Sequence, residues 1–535
     1  MLRIRRDLLL ELSADQPCHG GREGALHPRH RSRLVDHRRR RLRHEYHRIC
    51  PPGGDPDPHD AHGRVARCGS AGGGRVSRTS FIARAEAAGA DPDLVEKIFS
   101  ATDRQFRARE EITREIDDLE DLRALAAGVR DEVLDRWDAY LEFFAERAAA
   151  NGVEVHWAAD AAEARAQVAG IAHRHGARRI IKSKSMVTEE IGLNPALEAE
   201  GCEVVETDLG EFILQAAGQR PSHIVAPAIH LTTSEITAVF REAIGYEGPG
   251  DPSSLTRAAR EHLREKFREA EMGVSGVNIA MAEEGAWAVA TNEGNGRFVT
   301  SLPPVTTAVM GIERLVRDMT GAAVILKLLA RSATGQRITQ YTSIMSGPGG
   351  SDTPRHVHLV LVDNGRSAIR ATPYAAMLRC IRCGACLNAC PVFRRMGGHS
   401  FPGCYSGPMG SVLQPLLLGL EQAGDTCKAC SLCHLCAEVC PVKIPLPDYL
   451  LALREDLVTQ GHAPHAERWS MRAAGWVLSR PRLYRLAQKA LRLGSGLRSR
   501  EGWMRRLPGA AGGWTQTKDF PRPAPRSYLS GKDRG

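Results

Sequence analysis

The sequence contains no run of about 18 apolar residues, so no membrane span is expected. Ala322 to Ala330 (AAVILKLLA) is too short and reads as a buried element. There is no G-x-x-x-x-G-K-[ST] and no G-x-G-x-x-G at a strand–helix junction, so no local signature for nucleotide or flavin is present. No secretory context is evident, which argues against a disulfide framework for the 14 cysteines and for a reducing, cytoplasmic compartment. A protein-wide basic surface is missing too. The formal net charge is +9, but residues 1–77 hold 16 Arg, no Lys and nine Asp or Glu, and so contribute +7, leaving +2 for all the rest. Nucleic acid is therefore not an expected partner.

What is present is one cysteine pattern written twice. Cys380, Cys383, Cys386 and Cys390 precede Pro391; Cys430, Cys433, Cys436 and Cys440 precede Pro441. Each run reads C-x₂-C-x₂-C-x₃-C-P, the bacterial ferredoxin spacing for [4Fe–4S] clusters. Three sulfurs at steps of three residues fit one tight loop, and a cubane needs a fourth from elsewhere. In two-cluster proteins the fourth cysteine of each run ligates the other cluster. The expected sets are Cys380, Cys383, Cys386 with Cys440, and Cys430, Cys433, Cys436 with Cys390. Structural zinc more often shows two separated C-x₂-C pairs or mixed Cys and His, which fits this pattern poorly. Cys404 and Cys427 lie outside both runs, and eight thiolates already complete two clusters.

The chain divides by composition. Residues 1–77 are rich in Arg, His, Pro and Gly without helical or strand period, and are expected to be disordered or to precede the true start near Val76. Residues 78–150 read as a helical lead-in. Residues 151–366 alternate strand and helix, with strands expected at Val153–Trp157, Arg179–Lys182, Cys202–Thr207 and His223–Ala226, and a helix from Glu189 to Ala199 broken at Pro195. That alternation implies an α/β domain with a parallel sheet. Residues 367–455 form the cysteine-bearing domain, with a helix expected over Val412–Leu420 and Pro415 near its start. Residues 456–535 read as a helical segment interrupted near Pro481, then an extended tail.

Ligands of parallel sheets sit beyond the carboxyl ends of the strands. Lys182-Ser183-Lys184-Ser185 ends a strand and offers two ammonium groups and two hydroxyls for a phosphate or carboxylate. Glu284 with Asn292, Glu293, Asn295 and Arg297 clusters polar groups at glycine-bearing turns. The alternatives are a solvated loop and a plain hairpin. Ser346–Asp352 is a further glycine-rich turn, read as surface.

KSKSMVTEEIGLN (182–194), ETDLGEFILQ (206–215), PSHIVAPAIH (221–230), GVNIAMAEEG (276–285), NEGNGR (292–297) and DNGR (363–366) together resemble the LUD domain, whose fold is related to the ribose-phosphate isomerase and CoA-transferase superfamily. A LUD domain followed by CIRCGACLNACPV (380–392) and CSLCHLCAEVCPVKIPL (430–446), with GGWTQTKDFPRPAPRSY (512–528) near the end, is similar to the LutB family of lactate-utilisation iron–sulfur proteins. The resemblance implies two [4Fe–4S] clusters and an electron-transfer subunit of a complex oxidising L-lactate to pyruvate. The partners it implies are a cysteine-rich subunit of the heterodisulfide-reductase type and a second LUD-domain subunit, with any membrane association supplied by partners. A glycolate or other 2-hydroxy-acid oxidase, and a LUD-domain enzyme acting on an acyl or sugar-phosphate ligand, remain the alternatives.

Overall fold

The computed structural model describes residues 44–48, 80–349 and 354–498, and short pieces at 502–507, 512–513, 515 and 518–524. Apart from 44–48, the N-terminal extension lies outside the described residues, as does much of the expected tail.

Ten strands run through the α/β region: β1 (Glu154–Ala158), β2 (Arg179–Lys182), β3 (Glu203–Glu206), β4 (Met272–Gly276), β5 (Ile279–Met281), β6 (Ala286–Thr291), β7 (Val305–Gly311), β8 (Leu315–Val316), β9 (Tyr341–Met345) and β10 (His356–Val362). Six of them form one sheet in the order β1-β10-β7-β4-β2-β3, every pairing parallel. Its central strands are buried on both faces (β7 along its whole length), as required of a sheet covered by helices on each side. A smaller sheet, β8-β5-β6-β9, flanks it.

Local chemistry sets the boundaries. Ser185 caps the helix Met186–Glu190 through its Oγ, and Gly192 at φ 63° separates that helix from Leu193–Ala199. The break expected at Pro195 is thus three residues earlier. Pro195 falls in the first turn of the second helix, where a missing N–H costs nothing. No strand forms at His223–Ala226. The buried His223 ring, pulled down to about 3 by burial and Lys184, stays neutral, and its Nδ1 accepts the amides of Val225 and Ala226 that a sheet would need. Pro415 lies inside the helix Gly407–Leu418, late rather than early. The carbonyl that its ring leaves without an amide, that of Ser411, accepts the Thr426 hydroxyl at 3.4 Å.

The cysteine segment is not a separate globule. One core runs from Trp137 and Phe144 on the N-terminal helices, through Trp157, Trp287 and Leu361, to Leu387, Phe393 and Leu450. Arginines of those helices bond its carbonyls: Arg109 to Val439, and Arg123 to Cys440 and Ala437. Among the described residues no helix is long and apolar enough to cross a membrane.

Candidate functional site

The eight cysteines of the two runs fall into two groups of four. Cys380, Cys383, Cys386 and Cys440 all line one small crevice. Burial pushes the Cys383 thiol up to about 12, with Cys440 and Cys380 adding to the rise; Cys386 and Cys440 are likewise raised, first by burial. In the second group burial raises Cys390 to about 11 and Cys436 to about 12, helped by Cys430 and Cys433. The groups adjoin, since Cys386 also feels Cys436. Cys433 alone of the eight is solvent-exposed.

The two loops share one backbone design. Arg382 (φ 59°) and Gly384 (φ 75°) flank Cys383, and Leu432 (φ 55°) and His434 (φ 64°) flank Cys433. Three of these are not glycine, and each such left-handed residue costs of order 1 kcal/mol. The turns re-aim backbone amides in the manner of anion nests at Fe–S sites. Amides of Phe393, Leu432 and Ile444 point at the sulfurs of Cys390, Cys430 and Cys440 at 3.3–3.5 Å. Buried thiols that oppose one another's ionisation, gathered in fours with N–H donors on the sulfur, fit an iron–sulfur core, because soft thiolates shared with metal relieve the crowding. Cys404 instead faces Glu190, Glu189 and Arg382, and Cys427 faces Arg454, Lys428 and Asp425.

Beside the first group lies a cavity of about 570 Å³. It opens at the carboxyl ends of the sheet strands. Ser183–Ser185 follow β2, Asp208–Gly210 follow β3, Val277 and Asn278 follow β4, and Glu313 and Arg314 follow β7. Its far wall is the cysteine segment itself: Ile381, Arg382 and Tyr405. Ile224, Ile381 and Arg382 line both this cavity and the cysteine crevice.

Of the polar residues expected from sequence, Lys184, Asn292, Glu293 and Asn295 reach the cavity. Lys184 Nζ donates to the Val225 carbonyl at 2.7 Å and lies 4.0 Å from Asp208. Asn295 is buried; its Nδ2 donates to Thr207 at 3.2 Å, and its Oδ1 has no protein partner. Lys182, Glu284 and Arg297 do not line the cavity. Lys182 is fully buried beneath it, 2.6 Å from Glu206 and 3.3 Å from Glu189. Burial pulls its amine down, but those carboxylates outweigh burial and hold it above its ordinary value. Glu284 accepts the Met319 amide at 3.0 Å at the start of the helix Met319–Thr334, and Arg297 is exposed on the helix Asn295–Ser301.

Residues not singled out from the sequence complete the cavity. Arg366 binds Glu190 through both terminal nitrogens (2.8 and 2.9 Å) and Glu313 through Nε. Tyr405 donates to Glu190 at 2.6 Å, and Arg382 lies over the Tyr405 ring at 4.5 Å. Burial tends to raise the Glu313 carboxyl, but Arg366, Arg314 and Arg382 overcome it and bring it down to about 2. Gly311 makes room for this pair; a Cβ there would strike the Glu313 carboxylate and Arg366. The DNGR string supplied a signal for Arg366. Nothing local marks Glu313 or Arg314 as cavity residues: they pair with each other, and their other partners, Arg366 and Arg382 for Glu313 and the Cys380 carbonyl for Arg314, stand some fifty or more residues away.

A LUD domain model matches residues 141–362, a 4Fe-4S dicluster domain matches 376–444, and a domain described as lactate utilisation protein B, C-terminal matches 454–530. The chain is similar to lactate utilization protein B of Bacillus licheniformis, with 45% identity over 441 residues covering 81% of this chain and 92% of that one. It is 43% identical to lactate utilization protein B of Bacillus subtilis, with the same coverage. It is 40% identical to an Escherichia coli protein named uncharacterized electron transport protein YkgF, over 85% of this chain and 97% of that one.

Proposed function

Because the chain belongs to the lactate utilization protein B family, as an iron–sulfur protein with a LUD domain, we propose that it is the electron-transfer subunit of a complex that oxidises L-lactate to pyruvate. Its ligand sets are Cys380, Cys383, Cys386 and Cys440 for one [4Fe–4S] cluster, and Cys430, Cys433, Cys436 and Cys390 for the other. When bound, the clusters supply one-electron acceptance and release. The observation that carries this reading is the wall common to cavity and crevice: Ile381 and Arg382 line the cavity while sitting between two cysteines of the first group. The chain's own residues do the rest. Lys184 and Arg314 offer cationic donors to a carboxylate, Asn295 Oδ1 offers an acceptor to a hydroxyl, and the apolar flank of Ile224, Ile381 and Val277 excludes water. The second group, with Cys433 exposed, faces outward to a partner. Those partners are a cysteine-rich subunit of the heterodisulfide-reductase type and a second LUD-domain subunit.

Anaerobically purified chain, mixed with lactate and a dye acceptor, tests the assignment. Alone it turns over poorly; adding the two partner subunits restores lactate-dependent dye reduction. Robust turnover by the isolated chain contradicts the subunit role, and preference for glycolate in the assembled complex moves the substrate to another 2-hydroxy acid.

One observation favours a second reading. A cavity of about 570 Å³ holds far more than a three-carbon acid and suits a ligand of drug size. An acyl or sugar-phosphate ligand seated on Lys184 would use that room. Competition of such compounds with lactate in the same assay separates the two.

A further inference from the structure

At the other end of the sheet, the amino-terminal ends of its strands, four imidazoles gather. His156 stands on β1, His358 and His356 on β10, and His175 just before β2. His156 Nε2 lies 3.2 Å from His358 Nδ1, and Glu154 Oε2 lies 3.6 Å from that same nitrogen. The second nitrogen of His358, Nε2, lies 3.1 Å from His175 Nε2. The register explains the convergence. Glu154 pairs directly with His358 across two parallel strands, and residue 156 returns to the same face one period on.

A chain of imidazole hydrogen bonds accounts for the two nitrogen–nitrogen approaches, with one proton per link. It does not account for a carboxylate oxygen closing on the same Nδ1, so that three ligand atoms lie within 4.8 Å of one another. A tetrahedral ion with bonds of about 2.0–2.1 Å to nitrogen and oxygen has ligand-to-ligand edges of about 3.3–3.4 Å. The observed 3.2 and 3.6 Å straddle that value. We propose that Glu154, His156 and His358 bind a divalent metal ion of the zinc class, with water in the fourth position, and that the ion pins the edge strand β1 to β10.

The surroundings agree. His175 accepts from the far nitrogen of His358 and fixes which nitrogen faces the ion, taking the place that a carboxylate, carbonyl or water holds beside other metal-bound imidazoles. Arg174 Nη1, 2.9 Å from Glu154 Oε2, orients the carboxylate, which has lone pairs for both. Glu154 is half-exposed and gives the ion its way in.

The test uses anaerobic holoprotein with its irons in place, loaded with zinc chloride, dialysed against metal-free buffer and analysed for both metals. Close to one zinc per chain is expected beyond the iron. Zinc-edge X-ray absorption should show nitrogen and oxygen at about 2.0–2.1 Å and no sulfur at about 2.3 Å. Zinc should raise the unfolding midpoint. Glu154→Gln with His156→Ala, two positions that reach solvent, should lose the zinc and the rise while keeping its iron. His356→Ala, outside the ligand set, should keep all three. Wild-type protein that retains no zinc, a sulfur shell, or undiminished zinc in the double variant overturns the proposal.

Discussion

Arg366 Nε lies 2.5 Å from Glu313 Oε2, with both side chains 3% exposed or less. The pair joins the end of β7 to the turn after β10, and Glu190 closes the other face of the guanidinium. Such a network is held by mutual satisfaction rather than net gain, since a buried ion pair costs much of its attraction in lost hydration. Removing one member leaves charge stranded. Arg366→Met is expected to lower stability by about 3–5 kcal/mol, read from urea unfolding monitored by circular dichroism. Glu313→Gln, which takes away the carboxylate shared by Arg366, Arg314 and Arg382, should cost a comparable amount.

The same logic separates Lys182 from Lys184. Lys182→Met strands Glu206 and Glu189 and should destabilise the protein by about 3–5 kcal/mol. Lys184→Met removes a half-buried amine from the cavity wall; its unfolding midpoint should change little while the KM for lactate of the assembled complex rises about tenfold. Equal stability losses at both positions would contradict the division.

The crossed cysteine sets are tested by pairs of substitutions. Cys383→Ser with Cys440→Ser should remove about four of eight irons per chain, because both residues belong to one group. Cys436→Ser with Cys440→Ser should remove nearly all, because they belong to different groups although they stand in one run. Iron analysis and electron paramagnetic resonance of the reduced protein read the difference.

Glu211 gives a pH dependence. Burial, then Glu206 and Glu189, raise its carboxyl to about 8 against the pull of Lys182 and Lys184. The unfolded chain loses that proton near pH 4.3. From there to about pH 8 the folded protein holds a proton that the unfolded chain has released, so this contribution to stability is whole below about pH 4 and is lost as pH rises through about 8. Glu211→Gln should flatten the fall in urea midpoint between pH 5 and 8; an unchanged slope would rule the carboxyl out as its source.

Much of the architecture was legible because its signals are local. Strand–helix alternation from Val153 onward announced a parallel α/β sheet, and the cysteine spacing is a matter of a dozen residues at a time. The errors came where a side chain outcompeted the pattern. His223 took the amides that an apolar run had promised to a strand, and Gly192 broke a helix before Pro195 could. The cavity was half legible. Lys184, Asn292, Glu293 and Asn295 follow strand ends in sequence. Glu313, Arg382 and Tyr405 do not advertise themselves, because a buried charge is recognised by its partners, and most of the partners here come from distant segments.

Arg109, on the helix Pro92–Thr113, donates to the carbonyl of Val439, 330 residues later in the chain. At ribosomal rates of about 5–20 residues per second, the helix emerges roughly 15 to 65 s before the segment that covers it. During that interval its inner face, with Ile98 and Arg109, waits without its final neighbours. The nascent chain therefore gives chaperones a long opportunity to engage it, and the cysteine loops emerge onto an arginine scaffold made well before them.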